Sequence, residues 1–138
     1  MASMKTKIFA AICGLTILAV GCVDTVGGRK TAGVPFVKDT IYAKYERPLD
    51  DVFQAARDVV KFNGTLVSEG TLFGVTNTVN STAKIVEGKV NQRNVWVRME
   101  QVDPKTTSIA VQTRTPGGGG DIDLAAEIDK QIALKLVR

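Results

Sequence analysis

Few residue types in this chain could carry out covalent chemistry, and their spacing narrows the choice further. There is no histidine in 138 residues. A Ser-His-Asp or Cys-His arrangement therefore lacks its base, and a zinc site, which draws mainly on Cys and His, is disfavoured. Carboxylates pair at Asp50-Asp51 and at Asp121 and Asp123. Both pairs stand at the starts of predicted helices, where capping and the helix dipole account for them. Ser68, Ser81 and Ser108 have no lysine at a spacing that singles out a Ser-Lys dyad. The run "PGGGG" at 116–120 lacks the Lys-Ser/Thr of a P-loop and does not open a βαβ unit, so it reads as a linker. The expectation is a protein that is not an enzyme and needs no metal and no cofactor.

That leaves the cysteines. Lys5 and Lys7 are the only charges before an uncharged stretch of about 14 residues, Ile8 to Gly21. This is the length of a signal-peptide core and falls short of the roughly 20 residues a spanning helix needs. Ala19, Val20 and Gly21 are small or slight, and Cys22 follows at once. "LAVGC" resembles the lipobox of bacterial lipoproteins, in which the Cys is lipidated and the bond before it is cleaved. Gly21 fits that pattern, whereas the place three residues before the Cys, where the family prefers Leu, holds Ala19, with Leu18 one further back. Cys13 follows the bulky Ile12 after only about five apolar residues and reads as packing inside a discarded peptide. The resemblance implies two or three acyl chains on Cys22. Two or more chains hold a protein stably, at about 0.8 kcal/mol per buried methylene. Val23 after the Cys, where the sorting rule of the family would need Asp for inner-membrane retention, implies the outer membrane, periplasmic face.

Removing residues 1–21 leaves 117 residues with 16 basic and 14 acidic side chains, a net charge of +2. That is one domain's length with a tether. No Lys/Arg cluster approaches the basic stripe of a nucleic-acid binder, so no nucleic-acid partner is expected. With Cys22 blocked by lipid there is no intramolecular disulfide, and stability rests on a packed core. Residues 22–38, "CVDTVGGRKTAGVPFVK", read as the lipidated cysteine and a flexible tether. About 16 such residues reach roughly 20–25 Å. The domain is expected over 39–138.

Within it, "DTIYAKYE" alternates as a strand, with Ile41, Ala43 and Tyr45 on one face and Tyr42 and Lys44 on the other. Pro48 introduces "LDDVFQAARDVVKFNG", a helix whose Leu49, Val52, Phe53, Ala56, Val59 and Val60 share one side. Strands are predicted at 65–73, 82–90, 94–102 and 106–115, with turns at "NQRN" and "DPKT" and a polar connection at "GVTNTVNS". The chain closes on a second helix from 121, with Leu124, Ile128, Ile132 and Leu136 on one face.

The order β-α-β-β-β-β-α predicts an α+β fold: an antiparallel sheet of about five strands with two helices on one face. "YERPLDDVFQAARDVVKFNGTLVSEG", with three further strands and a last helix, resembles small bacterial lipoproteins grouped only as a domain of unknown function. The shared elements are Pro-Leu-Asp-x-Val with an aromatic, Ala-Ala in the helix, and a Gly before the next strand. The topology is similar to the helix-grip arrangement of START-like ligand-binding domains and of accessory lipoproteins of outer-membrane barrel assembly. If Val95, Val97 and Met99 fill the core, Trp96 and Arg98 emerge on the opposite, open face with Arg114, Tyr42 and Lys44. These five are the candidate interaction face, because Trp, Tyr and Arg dominate binding hot spots. The expected function is a membrane-anchored envelope lipoprotein acting as a non-enzymatic interaction or accessory module, its partner another envelope protein. The alternative is carriage of an apolar small ligand between helices and sheet.

Overall fold

The computed structural model describes residues 21–26, 30–33, 39–72 and 82–138. Five strands form one antiparallel sheet: β3 (Thr40–Tyr45), β4 (Thr65–Leu72), β5 (Ala83–Val90), β6 (Arg93–Asp103) and β7 (Thr106–Arg114), in the spatial order β3-β7-β6-β5-β4. Two helices, α1 (Leu49–Asn63) and α2 (Ile122–Leu136), cover one face. The α+β architecture expected from the sequence is the one observed.

The connections follow from local chemistry. β5 turns into β6 through Asn91 and Gln92, both with positive φ (49° and 65°), the geometry that matches a two-residue hairpin to strand twist. β6 turns into β7 at Asp103, whose carboxylate accepts from the Lys105 amide at 2.9 Å. That amide holds the Asp103 carboxyl below the ordinary carboxylate range. The predicted connection "GVTNTVNS" lies outside the described residues, as do 1–20, 27–29 and 34–38.

Alternation sorts the strands. Val95, Val97 and Met99 on β6 and Thr107, Ile109 and Val111 on β7 point to the helices and are buried. On α1 the buried stripe is Leu49, Val52, Ala55, Ala56, Val59 and Val60, with Phe53 only half-buried. On α2 it is Ala125, Ile128 and Ile132. Helix and sheet approach closely because two glycines permit it. A Cβ on Gly88 would stand 2.3 Å from Cγ1 of Val60, and one on Gly64 would stand 2.0 Å from the Lys89 carbonyl oxygen.

One member of each carboxylate pair has a structural partner. Asp121 caps α2, accepting from the Leu124 amide at 3.1 Å, and also pairs with Arg93. Asp50 meets Lys84 on β5 at 2.5 Å. Tyr45, at the end of β3, donates to the Asp129 carboxylate on α2 at 2.6 Å. Burial, first, and that acidic neighbour push the phenol pKa well above its usual range.

Residues expected as a featureless tether include a small ribbon. β1 (Gly21–Asp24) pairs antiparallel with β2 (Lys30–Gly33), so Cys22 lies in an extended, paired backbone.

Candidate functional site

The outer face of the sheet, away from the helices, is where the sequence placed its candidate surface. Strand register sets its side chains in rows. Tyr42, Ala110, Arg98, Ile85 and Gly70 lie across the sheet in one row, and Thr40, Gln112, Trp96 and Glu87 in the next. The alternation therefore puts Trp96, Arg98, Arg114, Tyr42 and Lys44 on one face. The face is not open throughout.

Trp96 is only 7% exposed and Arg114 only 4%, which corrects the expectation of a solvent-facing tryptophan. The strand register stands; what differs is the cover. The chain just after β1 returns across the centre of this face. The Val26 amide donates to Oε1 of Gln112 at 2.9 Å, and the Val26 carbonyl accepts from Arg98 at 3.2 Å. Gln112 is the cross-strand neighbour of Trp96, and Arg98 lies two residues along on the same strand. Thr25, the residue before Val26, is buried.

The second pin is Asp39, immediately before β3. Its carboxylate accepts from Arg114 Nε at 2.6 Å and from Gln112 Nε2 at 2.9 Å. Gln112 thus uses its two ends at once, oxygen to Val26 and nitrogen to Asp39. The Arg114 guanidinium lies 6.0 Å from the Trp96 ring centroid, within cation–π range. Arg98 also stands 3.8 Å from Glu100. Tyr42, at 76% exposed, and Lys44 stay in solvent near the β3 edge. The five candidates thus divide into a covered polar centre and an exposed margin.

A second feature lies on the helical side and escaped the sequence reading. Phe62 is 88% exposed and Leu134 53%. With Val59, Asp58, Gln131, Lys135 and Arg138 they line a cleft of about 580 Å³ between the two helices. Lys135 pairs with Asp58 at 3.1 Å, and Asn63 donates to Gln131 at 2.6 Å to join the helices there. The signal was present: Phe62 falls off the apolar stripe of α1, where a solvated helix would carry a polar residue. For Val26 the hint was weaker, an isolated apolar residue in "DTVGGRK".

No cluster of His, Cys, Asp and Glu among the described residues fits a metal ion. No helix among them is long and apolar enough to cross a membrane.

The model of a family of proteins of unknown function, DUF3568, matches residues 5–135. This chain belongs to that family. No curated protein matches it. Among solved structures it is similar to the di-domain ARO/CYC StfQ from the steffimycin biosynthetic pathway, at 14% identity with a TM-score of 0.33, over 72% of this chain and 43% of that one. The chain thus spans less than half the length of that protein. The DUF3568 match runs from Lys5 to Lys135 in the last turn of α2, so it takes in Cys22, Thr25, Val26, all of α1 and all of α2 but its last residue.

Proposed function

We propose that this DUF3568 protein is a lipid-anchored bacterial envelope protein that acts as a non-enzymatic interaction module, and that its partner docks on the helical side. The anchor is Cys22, in the outer membrane with the domain in the periplasm. The observation that carries the docking reading is the exposed Phe62 beside Leu134 in one interhelical cleft. An aromatic left in water costs about 1.5–3 kcal/mol relative to burial, which a partner can recover. The cleft is lined by apolar Val59, Phe62 and Leu134, with Arg138 and the Lys135–Asp58 pair among its polar residues. That chemistry suits a protein segment presenting apolar side chains, with no nucleic acid involved. The outer sheet face is a poorer docking site, because its centre is already occupied by the chain itself.

Carriage of an apolar ligand between helices and sheet gains no support from the packing. Val52, Ala56, Val60, Val97, Val111 and Ile128 are fully buried against one another in that space.

A photo-crosslinking residue at position 62 or 134, in cells, tests the proposal against one at Val67, which is also exposed but on edge strand β4. The expected result is one adduct of defined mass from 62 and 134, absent from 67. No adduct at 62, or the same adducts at all three positions, removes the cleft as the partner site. A lipid-soluble molecule retained by the purified domain in native mass spectrometry would favour the carrier reading instead.

A further inference from the structure

We propose that the strap of Thr25 and Val26 sets the orientation of the whole domain on its membrane, with the outer sheet face turned to the lipid headgroups and the helices turned away. The inference rests on acylation of Cys22, as argued above, and adds to it a geometry. Val26 is held at the centre of the outer face through both its backbone amide and its carbonyl. Only four residue steps separate it from Cys22, a span of at most about 14 Å.

That length decides the side. From the centre of a five-stranded sheet to its edge is about 10 Å at the usual strand spacing, and passing from sheet to the helix layer adds about 10 Å more. A chain of about 14 Å reaches the margin of the outer face but cannot carry the acylated residue round to the helices. Nor does it leave room for a second protein layer between this face and the bilayer, whose headgroup zone is only about 5–7 Å deep per leaflet. β1 is itself paired with β2, so the link is a ribbon and not a loose coil.

The exposed margin of the face suits that neighbour. Tyr42 and Lys44 on β3 and Lys89 on β5 all project outward there and stand in solvent. Tyrosine favours the membrane–water interface, and lysine extends its ammonium to headgroup level while its stem lies along apolar surface. The occupant is therefore a phospholipid headgroup surface.

The experiment uses the full mature, acylated protein in phosphatidylethanolamine–phosphatidylglycerol vesicles. With Cys22 acylated and residues 1–21 removed no free thiol remains, so single cysteines can be introduced by Tyr42→Cys, Lys44→Cys, Phe62→Cys and Leu134→Cys. Each is labelled with a fluorophore, and quenching by a headgroup-spin-labelled lipid is read. All four positions are exposed or largely so, which keeps the fold intact. The expected result is quenching several-fold stronger at 42 and 44 than at 62 and 134. Arg98→Ala with Gln112→Ala removes both strap contacts, should bring the four positions towards parity, and should red-shift the emission of Trp96, the sole tryptophan. Equal quenching at all four positions in the parent protein, or stronger quenching at 62, overturns the orientation. Flotation of the vesicles separates this from the anchor: protein that does not float with them, or a Cys22→Ser precursor that still takes up labelled fatty acid, defeats acylation itself.

Discussion

The contact between α1 and the sheet should be most sensitive at a residue with no side chain. A methyl group placed on Gly88 of β5 would lie 2.3 Å from Val60 Cγ1 and 2.8 Å from the Thr65 carbonyl oxygen. Ordinary contact begins near 3.4 Å, so about 1.1 Å must be found on one side, and Val60 is fully buried with no slack. Overpacking of this kind costs about 1–3 kcal/mol. At roughly 4–8 °C per kcal/mol for a domain of this size, Gly88→Ala should lower Tm by about 8–16 °C for a 2 kcal/mol cost. Gly70→Ala is the internal control, because it lies on neighbouring β4 with nothing within 4 Å of its Cβ. It should be neutral or slightly stabilising, by about 0.4–1 kcal/mol from a less flexible unfolded chain. Thermal melts by circular dichroism on the three proteins separate the cases. Val60→Ala supplies a second check: it removes the colliding methyl, so the double variant should be less destabilised than the sum of the single ones. If Gly88→Ala melts with Gly70→Ala, or if Val60→Ala adds in full, α1 does not press on β5 as described.

Tyr45→Phe should flatten the alkaline limb of stability. The folded-state pKa of Tyr45 lies above the ordinary value of 10.0, so the unfolded chain ionises first and stability present below about pH 10 is lost as pH rises beyond it. Denaturant melts from pH 8 to 11 read this, and an unchanged alkaline slope in Tyr45→Phe would detach it from the Asp129 contact. Asp121→Ala should cost about 1 kcal/mol for the lost cap, with more from the stranded Arg93, measurable as a lower urea midpoint; no change would remove Asp121 as the α2 cap. Val59→Asp puts a charge into the helix–sheet contact, where Val59 is buried, and should cost several kcal/mol; a wild-type melt would mean α1 faces the other way.

The elements that were legible in the sequence are those with a period. "VFQAARDVV" reads as a helix and "NVWVRM" as a strand because burial on one side imposes 3.6 or 2 residues per repeat, and that same alternation placed Trp96 opposite Val95 and Val97. Periodicity tells which side a residue occupies. It does not tell what else arrives on that side. Trp96 was expected in water because nothing local to β6 covers it; instead Arg114 lies over its ring, and a segment some 70 residues earlier in the chain is held on the neighbouring Gln112 and Arg98 by two backbone atoms of Val26. Backbone hydrogen bonds leave no trace in side-chain pattern. Phe62 is the reverse case, since its departure from the α1 stripe was visible in the letters and needed only the exposed cleft to give it meaning.

The two pins on the outer face differ in strength, and the difference bears on how the strap behaves. Arg114 and Asp39 are both largely withdrawn from solvent, so losing either partner strands a buried charge at a cost of about 3–5 kcal/mol. Val26 is held by two hydrogen bonds, one of them to a charged group, together worth about 2–4 kcal/mol. The strap contacts are therefore the weaker of the two pins, and Gln112 Nε2 is bonded to Asp39 independently of Val26. The outer face is thus built around its cover: Gln112 satisfied at both ends, Arg114 paired with Asp39 and laid against the indole, and Arg98 turned to the Val26 carbonyl.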